Sequence, residues 1–370
     1  MLFSTAVVGS LPRPKWLLDL FVAHQDGRMT DSELETEVDK AIGFAVGMQE
    51  AADVDVISDG EWRRIGYFEV FAQRVGGFRN GEYASEAFAP EQVPDAGSAP
   101  PQQWTLKEFK QALVVEPLEY SRPIVADEGR FLRSQTERII KVALPSPHMI
   151  GQRLWHEDYS KGAYSSRREF IEAVIPILRQ EIEHLKEAGV DIVQFDDPWF
   201  CFFVDTNYRA RFDDPEAAMA QTIDDLNHVL DGVEGIKTAL HVCRGNRERQ
   251  VYAHGDYRPI LPFLTRANVD QLSMEFAISE AGDLDVFADH KWERELALGA
   301  VDVRGQEIEP PEVIVDRAER ALEFFAPEQL SLTPDCGFAP SSTNGIPMDE
   351  AYLKLSSLTQ AASILRERYN

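Results

Sequence analysis

Short apolar runs alternate along this chain with longer segments in which apolar residues recur every three to four positions. Short runs bounded by Gly, Pro, Asp or Ser are typical of buried strands, and the longer periodic segments are typical of helices packed on a sheet. The runs predict eight strands: Phe3–Val8, Val54–Ile57, Ile139–Leu144, Val190–Phe195, Gly235–Leu240, Val269–Met274, Leu296–Val301 and Leu330–Asp335.

Amphipathic helices are predicted between most of these runs. The clearest start is Thr30-Asp31-Ser32-Glu33, a capping box ahead of a helix that extends to about Ala52. The remaining predicted helices are Arg167–Ala188, Pro215–Leu230, Pro311–Phe325 and Asp349–Arg368. Repeated strand–helix units of this kind predict an α/β fold, a (β/α)8 TIM barrel. A doubly wound sheet is the alternative, but the Gly-rich first strand–helix turn typical of that fold is missing from the sequence.

One segment departs from the alternation of predicted strands and helices. Residues 89–103 are rich in Pro, Ala, Gly, Ser and acidic side chains, and they include Pro100-Pro101. Such a composition is typical of a surface excursion or a flap. We therefore predict a single catalytic domain over residues 1–370, with an insertion after the second strand at residues 79–120.

Net charge, hydropathy and cysteine content restrict which partners the protein can bind and in which compartment it is expected. The formal net charge of −26 argues against nucleic acid and anionic membranes as partners. No apolar run reaches the length of a membrane-spanning helix, and residues 1–10 lack the regions of a signal peptide. Three cysteines are too few for a disulfide framework and predict a reducing cytoplasm. Of these, Cys201 lies among aromatic residues and is predicted to be an inert core residue.

The other two cysteines end predicted strands. His241 and Cys243 are two residues apart at one strand end, so their side chains project from the same face. Glu275 and Cys336 end two further strands in equivalent places. Imidazole nitrogen, thiolate sulfur and carboxylate oxygen are the ligands that zinc takes in proteins. The hypothesis is that three strand ends supply these four ligands to one Zn²⁺ ion.

Six motifs follow one another along the chain: Gly9-Ser10-Leu11-Pro12, Asp59-Gly60-Glu61, Phe195-Asp196-Asp197-Pro198, His241-Val242-Cys243, Met274-Glu275 and Pro334-Asp335-Cys336-Gly337. Together they resemble the catalytic half of cobalamin-independent methionine synthase. The resemblance extends over nearly the whole chain and is interrupted mainly at residues 79–120. Each motif is weak alone, but the set is highly specific.

The resemblance implies a zinc-dependent TIM barrel in which the metal activates the thiol of homocysteine for methylation. The implied zinc ligands are His241, Cys243, Glu275 and Cys336. The implied contacts of homocysteine are Glu61 and Asp196 at its amino group and Ser10 at its carboxylate. Judged from the residues alone, Glu61 and Asp196 are equally suited to ordinary salt bridges, for example with Arg63 or Arg64.

The chemistry of thiols agrees with this assignment. Only the thiolate attacks carbon, and a thiol with an ordinary pKa of about 8.5 is mostly protonated at neutral pH. Coordination to zinc removes that proton. A carboxylate is a weak fourth ligand that can give its place to an incoming sulfur, which is typical of an open, catalytic zinc site.

The chain departs from the family at the end of the seventh strand. Where the family has an Asp-x-His motif, whose histidine protonates the folate leaving group, this sequence has Asp302-Val303-Arg304. Arginine keeps its proton at working pH and cannot replace that acid. His148 is a candidate substitute, although its context is equally that of a loop histidine. Arg304 is predicted to clamp a phosphate, carboxylate or sulfonate instead.

The leading prediction is a zinc-dependent thiol alkyltransferase that methylates homocysteine to methionine, with a small-molecule thiol and an alkyl donor as its partners. The related epoxyalkane:coenzyme M transferase, which opens an epoxide with a zinc-bound thiolate, is the alternative in the same fold. Arg304 favours that alternative, whereas Glu61 and Asp196 would repel its sulfonate. A decarboxylase of the uroporphyrinogen type and a binding protein with structural zinc are further alternatives. The ligand set counts against the decarboxylase, and the open carboxylate position against the binding protein.

Overall fold

The computed structural model describes residues 1–64, 66–90, 104–246, 249–339 and 346–370, and side chains 80–111 lie outside that description. Its strands are β1 (Ser4–Thr5), β2 (Val56–Ile57), β3 (Gly76–Pro90), β4 (Trp104–Glu119), β5 (Ile139–Pro145), β6 (Ile192–Asp196), β7 (Lys237–Val242), β8 (Gln271–Glu275), β9 (Glu295–Val301) and β10 (Leu330–Pro334). Its α-helices are α1 (Lys15–Gln25), α2 (Asp31–Ala51), α3 (Glu69–Arg74), α4 (Ala126–Gln135), α5 (Pro147–Leu154), α6 (Glu157–Ser160), α7 (Arg167–Glu187), α8 (Thr206–Arg209), α9 (Pro215–Leu230), α10 (Leu261–Leu264), α11 (Val286–Asp289), α12 (Pro311–Ala321) and α13 (Met348–Tyr369).

Eight of these strands form one parallel sheet. The order is β1-β10-β9-β8-β7-β6-β5-β2, so chain neighbours are sheet neighbours from β5 to β10. A parallel bridge between Ala6 and Val56 joins the two ends of the order and closes the sheet. The predicted (β/α)8 barrel is therefore confirmed, and every predicted strand has its counterpart in the sheet.

The helices start where local chemistry predicts. Thr30 caps α2 by a reciprocal box in which the Glu33 amide donates to Thr30 Oγ1 over 3.3 Å and the Thr30 amide donates to Glu33 Oε2 over 2.9 Å. Helix α9 begins at Pro215 directly after Asp214, whose side chain accepts from the Ala217 amide. Several helices were not predicted, and two of them lie next to predicted site residues. Helix α1 starts just after the proline-rich loop, and α5 contains His148, which is therefore not a loop residue.

Strands β3 and β4 form a separate antiparallel pair between α3 and α4. The base of this hairpin packs through Phe78, whose ring meets those of Phe71 and Phe170 edge to face at 6.0 and 6.3 Å. The Leu118 amide also donates to the hydroxyl of Tyr164 over 2.8 Å. The predicted excursion at 79–120 lies partly on this hairpin, and its residues 91–103 lie outside the described residues. Its role as a flap stays a prediction.

The barrel interior is partly polar. A small apolar cluster of Ala6, Val56, Ile192 and Ala239 is separate from the main core between strands and helices. Polar side chains are also buried in the barrel strands, among them Gln271, whose amide donates to Ser331 Oγ over 3.0 Å. Within the described ranges, no helix combines the length and the apolar character needed to cross a membrane.

Candidate metal centre and substrate pocket

Two strand ends bring one imidazole and two thiols together. His241 lies one residue before the end of β7, Cys243 follows that strand, and Cys336 lies two residues beyond β10. All three side chains are buried. Their ligand atoms lie within 4.8 Å of one another, a geometry that could hold a metal ion. The pairing of these three residues was predicted from the period of two along a strand and from the equivalent strand ends.

The two sulfurs are the closest pair in this group. Cys336 Sγ lies 3.3 Å from Cys243 Sγ, and both cysteines are free thiols. The contact with Cys243 lowers the pKa of Cys336 to about 6, against the opposing effect of burial. The same contact, together with burial, raises the pKa of Cys243 well above its usual value. One of the two sulfurs is thus much the more easily ionised.

Asp196 fixes the orientation of His241. The two residues are register partners on β6 and β7, and His241 Nδ1 lies 2.9 Å from Asp196 Oδ1. His241 Nε2 is buried and has no hydrogen-bond partner among the described residues. A carboxylate on one ring nitrogen and a bare second nitrogen are typical of a histidine that binds a metal. One nitrogen and two sulfurs fit the chemistry of zinc.

A buried lysine supports Asp196 from inside the barrel. Lys141 on β5 donates to Gln194 Oε1 over 2.8 Å, and Gln194 Nε2 donates to Asp196 Oδ1 over 2.8 Å and to the Val8 carbonyl over 2.9 Å. Because the ammonium group can only donate, it fixes which way the Gln194 amide points. Burial lowers the pKa of Lys141 to about 8, although Asp196 opposes that shift.

Glu275, the predicted fourth ligand, contacts two arginines. Its Oε1 accepts from Arg304 Nη2 over 2.5 Å, and its Oε2 lies 3.7 Å from Arg244 Nη1. All three side chains are buried. Glu275 does not belong to the group of atoms within 4.8 Å formed by the histidine and the two cysteines. Its coordination of zinc stays a prediction.

Asp335 completes this charged cluster. Its Oδ1 accepts from the amides of Phe276 and Ala277, each over 3.0 Å, and its Oδ2 lies 3.9 Å from Arg304 Nη1. Burial, followed by the charge of Glu275, raises the pKa of Asp335 well above its usual value. The Arg304 guanidinium also donates from Nη2 to the Gly245 carbonyl over 2.6 Å. Arg304 is therefore engaged with protein groups, and its predicted role as an anion clamp stays a prediction.

Glu61 stands on a constrained turn after β2. Its φ is +58°, in the left-handed region that non-glycine residues rarely occupy. Asp59 Oδ1 accepts from the Glu61 amide over 2.9 Å, and Arg13 donates to the Glu61 carbonyl over 2.6 Å. A Cβ atom on Gly9 would lie 2.5 Å from Glu61 Oε1, so the carboxyl group occupies space that only a glycine leaves free. This strain at a strand end is typical of functional sites.

The Glu61 carboxyl group is incompletely compensated. Its closest cation is Arg64, with Nη1 3.9 Å from Oε1, and that arginine is itself paired with Glu128 over 2.9 Å. Burial raises the pKa of Glu61 to about 7, with Arg64 opposing and Asp196 adding to the shift. The ordinary salt bridge with Arg63 does not form, because Arg63 pairs with Asp39 over 2.5 Å.

Ser10 joins the first and last loops of the barrel mouth. Its hydroxyl accepts from the Ala339 amide over 3.3 Å, and its carbonyl accepts from the Phe338 amide over 2.9 Å. A Cβ atom on Gly337 would lie 2.3 Å from Ser10 Oγ. Glycine at that position therefore allows the loop that carries Cys336 to approach Ser10.

His148 is buried in the first turn of α5. Its Nδ1 lies 3.0 Å from Asp197 Oδ1, and its Nε2 lies 3.2 Å from the side-chain nitrogen of Gln152. Asp197 also accepts from the Ser146 hydroxyl over 2.7 Å. His148 is thus oriented by the neighbour of Asp196, and its role as a catalytic acid stays a prediction.

Sequence reasoning missed three buried charges at this site. Arg244 and Asp335 adjoin predicted ligands in the sequence, which was a usable signal. Lys141 is a charged residue within the apolar run of the third barrel strand, and that break in the pattern was a second signal. A buried charge needs a compensating partner, so each break in an apolar run marks a group worth placing.

Comparison with known proteins agrees with the geometry. Residues 3–363 match the family described as "Cobalamin-independent synthase, Catalytic domain". A methionine synthase from Sulfurisphaera tokodaii is 29% identical over 365 residues, which are 98% of this chain and 92% of that protein. A methionine synthase from Saccharolobus solfataricus is 28% identical over 368 residues, covering 99% and 96%.

Solved structures share the fold. A B12-independent methionine synthase from Shewanella sp. W3-18-1, in complex with selenomethionine, has a TM-score of 0.77 and 24% identity over 100% of this chain and 99% of its own. A putative vitamin-B12 independent methionine synthase from Listeria monocytogenes has a TM-score of 0.72 and 20% identity, covering 98% of each chain.

Proposed function

The chain belongs to the family of cobalamin-independent synthases, matched through its catalytic domain, and on that premise we propose that it methylates the thiol of homocysteine at a zinc ion. The observation that carries this proposal is the convergence of His241, Cys243 and Cys336 within 4.8 Å. When bound there, zinc would lower the pKa of the substrate thiol and present it as a thiolate.

The protein's own groups prepare this site. The hydrogen bond to Asp196 keeps the His241 proton on Nδ1, which leaves the lone pair of Nε2 for the metal. Cys336, with its lowered pKa, is the thiol that most readily supplies a thiolate ligand. A reducing cytoplasm, which the cysteine usage predicts, suits two thiols that lie 3.3 Å apart without forming a disulfide.

The acidic groups would bind the amino acid part of the substrate. The closest cation to Glu61 is Arg64, 3.9 Å away and paired with Glu128, so an ammonium group would find an incompletely compensated carboxylate when Glu61 is ionised. Asp196 Oδ2 is available to the same ammonium group, because both hydrogen bonds of that carboxylate among the described residues fall on Oδ1. The Ser10 hydroxyl accepts from a backbone amide and keeps its own proton to donate to the substrate carboxylate.

The epoxyalkane:coenzyme M alternative is the weaker candidate. Arg304 favours it as a group that could bind a sulfonate, but Nη2 of that arginine already contacts Glu275 and the Gly245 carbonyl, which leaves only Nη1 without a hydrogen-bond partner among the described residues. Glu61 and Asp196 would in addition repel a sulfonate. Homocysteine is the thiol that these charges favour, and the methyl donor remains outside the proposal.

Metal analysis followed by thiol titration tests the proposal. The purified protein should contain about one zinc ion per chain, as a single zinc site requires. Homocysteine should release a proton on binding, whereas coenzyme M should not. Proton release with coenzyme M alone would favour the alternative, and release with neither thiol would refute both functions.

A further inference from the structure

Arg13 connects two loops of the barrel mouth that carry predicted substrate contacts. It lies shortly before α1, in the loop that contains Ser10, and its side chain is half-buried. Its Nη2 donates to the carbonyl of Glu61 over 2.6 Å and to the carbonyl of Arg64 over 2.7 Å. Its Nη1 donates to the Ala339 carbonyl over 3.4 Å. One guanidinium group therefore contacts both the turn after β2 and the loop after β10.

The turn after β2 keeps Glu61 in a strained conformation. A φ of +58° is unfavourable for a residue with a Cβ atom, and such backbone persists only where its surroundings hold it in place. Asp59 accepts from the Glu61 amide over 2.9 Å, and the Arg64 amide donates to the Glu61 carbonyl over 3.1 Å. Because Arg13 Nη2 donates to the carbonyls at both ends of this turn, its hydrogen bonds favour the strained conformation.

Backbone contacts between the same two segments stop on either side of Glu61. The Leu11 amide donates to the Gly60 carbonyl over 3.0 Å, and Trp62 Nε1 donates to the Leu11 carbonyl over 3.2 Å. These bonds hold the two neighbours of Glu61, whereas Arg13 contacts Glu61 itself. The side chain of Arg13 thus completes the junction at the residue whose carboxyl group is the predicted substrate contact.

The guanidinium group of Arg13 contacts the backbone of Glu61 and leaves its carboxyl group accessible to another cation. The closest cation to that carboxyl group is Arg64, with Nη1 3.9 Å from Oε1. Arg13 can therefore hold Glu61 in place without occupying the oxygens that would bind an ammonium group.

We propose that Arg13 is a positioning residue, which holds the backbone of Glu61 so that its carboxyl group meets the ammonium group of the substrate. The inference rests on the proposed binding of homocysteine and concerns the ammonium end alone. Ser10, at the carboxylate end, is held by the amides of Phe338 and Ala339 over 2.9 and 3.3 Å, and these bonds do not involve the side chain of Arg13.

Three thiols test which end of the substrate depends on Arg13. Homocysteine carries both end groups, mercaptopropylamine carries only the ammonium group, and mercaptobutyrate carries only the carboxylate. In zinc-loaded Arg13→Met, calorimetric titration should show a loss of affinity of about tenfold for homocysteine and for mercaptopropylamine, the same loss as in Glu61→Gln. Affinity for mercaptobutyrate should stay within about twofold of wild type. Equal losses for all three thiols, or no loss for homocysteine, would overturn the inference.

A double substitution tests whether Arg13 acts through Glu61. Glu61→Gln removes the charge that Arg13 positions, so adding Arg13→Met should weaken homocysteine binding by no more than about twofold further. Two full losses that multiply would show that the residues act independently and would overturn the inference. Arg63→Met, which removes a cation of the same turn that pairs with Asp39, is the matched control and should keep wild-type homocysteine affinity.

Hydrogen exchange distinguishes positioning from the loss of a positive charge. Amides of residues 58–64 should exchange faster in Arg13→Met, because the turn has lost two of its hydrogen bonds. Arg13→Lys keeps a donor and should restore both slow exchange and most of the homocysteine affinity. Unchanged exchange in Arg13→Met would assign any lost affinity to the charge and would overturn the positioning role.

The same measurements separate this inference from the proposed function. If zinc-loaded wild-type protein does not bind homocysteine, the proposed function fails, whereas wild-type affinity in Arg13→Met refutes only the role of Arg13. If Arg13→Met does not fold, Arg13→Gln, with a shorter neutral side chain, takes its place in each experiment with the same expected results.

Discussion

The barrel mouth presents two buried glutamates in opposite electrostatic states. Glu61, after β2, has its nearest cation 3.9 Å away and a pKa raised to about 7. Glu275, at the end of β8, contacts Arg304 over 2.5 Å and lies 3.7 Å from a second arginine. Both stand at strand ends and both are buried.

The difference shows that a carboxylate at a barrel mouth cannot be assigned a role by position alone. The nearest cation to Glu61 is Arg64, which is shared with Glu128, so a cationic substrate group would add the countercharge that Glu61 only partly has. Glu275 already has its countercharge, so it has less to gain from a cation. Asp196 links the two regions. Its charge adds to the raised pKa of Glu61, and its carboxylate contacts His241 of the metal group.

The largest predicted effect is on zinc affinity, and it should distinguish the metal region (His241, Cys243 and Cys336) from the acidic region around Glu61. Cys243→Ala removes a sulfur ligand and should lower zinc affinity far more than the about 10–100-fold typical of a supporting residue. Zinc content after dialysis against a chelator measures this loss. Cys201→Ala, a change at the buried cysteine outside the metal group, is the control and should retain zinc. Retained zinc in Cys243→Ala would show that Cys243 is not a zinc ligand, and the distinction between the metal region and the acidic region would then fail.

The next effect concerns the residue shared by both regions. Asp196→Ala removes the acceptor of His241 Nδ1 and should weaken zinc binding by about 10–100-fold. The neighbouring Asp197→Ala is a matched control, since the Asp197 side chain contacts Ser146 and His148, and the backbone amide of residue 197, which donates to the His241 carbonyl, is kept in the variant. Chelator competition compares the two variants. Equal losses in both would show that Asp196 does not act through His241.

A smaller effect is expected on the acidic side alone. Glu61→Gln replaces a charged acceptor by a neutral one and should weaken homocysteine binding by about tenfold, the difference between charged and neutral hydrogen bonds. Zinc affinity should stay at the wild-type value, because Glu61 lies outside the metal group. Calorimetric titration with homocysteine measures the first quantity. A loss of zinc with no change in homocysteine affinity would reverse the assignment of the two regions.

The smallest predicted effect is on the melting temperature of the protein without metal and substrate. Because the folded pKa of Glu61 is raised above its unfolded value, its contribution is favourable at low pH and is lost as pH rises from about 4.5 to about 7. Burial is the largest cause of the raised pKa of Glu61; among the facing charges, Asp196 and Asp59 add to the shift, and Arg64 and Arg13 oppose it. Metal-free Glu61→Gln should therefore melt a few degrees above wild type at pH 8 and not at pH 4.5. Identical melting differences at both pH values would contradict the raised pKa.

The sequence pattern was sufficient for the barrel and for the proximity of His241, Cys243 and Cys336, whereas their binding of a metal stays a prediction. Each strand is an apolar run that ends in a reactive side chain, and a parallel barrel places all such ends on one face. His241 and Cys243 follow from the period of two along β7. Cys336 follows from the equivalent place on β10, and the Thr30–Glu33 box placed the start of α2 correctly.

Pairing between distant charges could not be predicted. Arg304 and Glu275 are separated by 29 residues, and only the three-dimensional structure brings their side chains to 2.5 Å. Helix α1 was not predicted either; Pro14 is the residue that precedes its first turn. The sequence shows which groups are present, and the fold decides which of them neutralise one another.

The ammonium group of Lys141 gives the substrate-free enzyme a built-in counterion. It is connected to Asp196 through Gln194, so at neutral pH, below the lowered pKa of Lys141 of about 8, the floor of the mouth carries a positive charge even before an amino acid arrives. A resting enzyme of this kind has no need to recruit sodium or potassium from solution to balance its acidic floor. Substrate binding should consequently be insensitive to which monovalent salt is in the buffer.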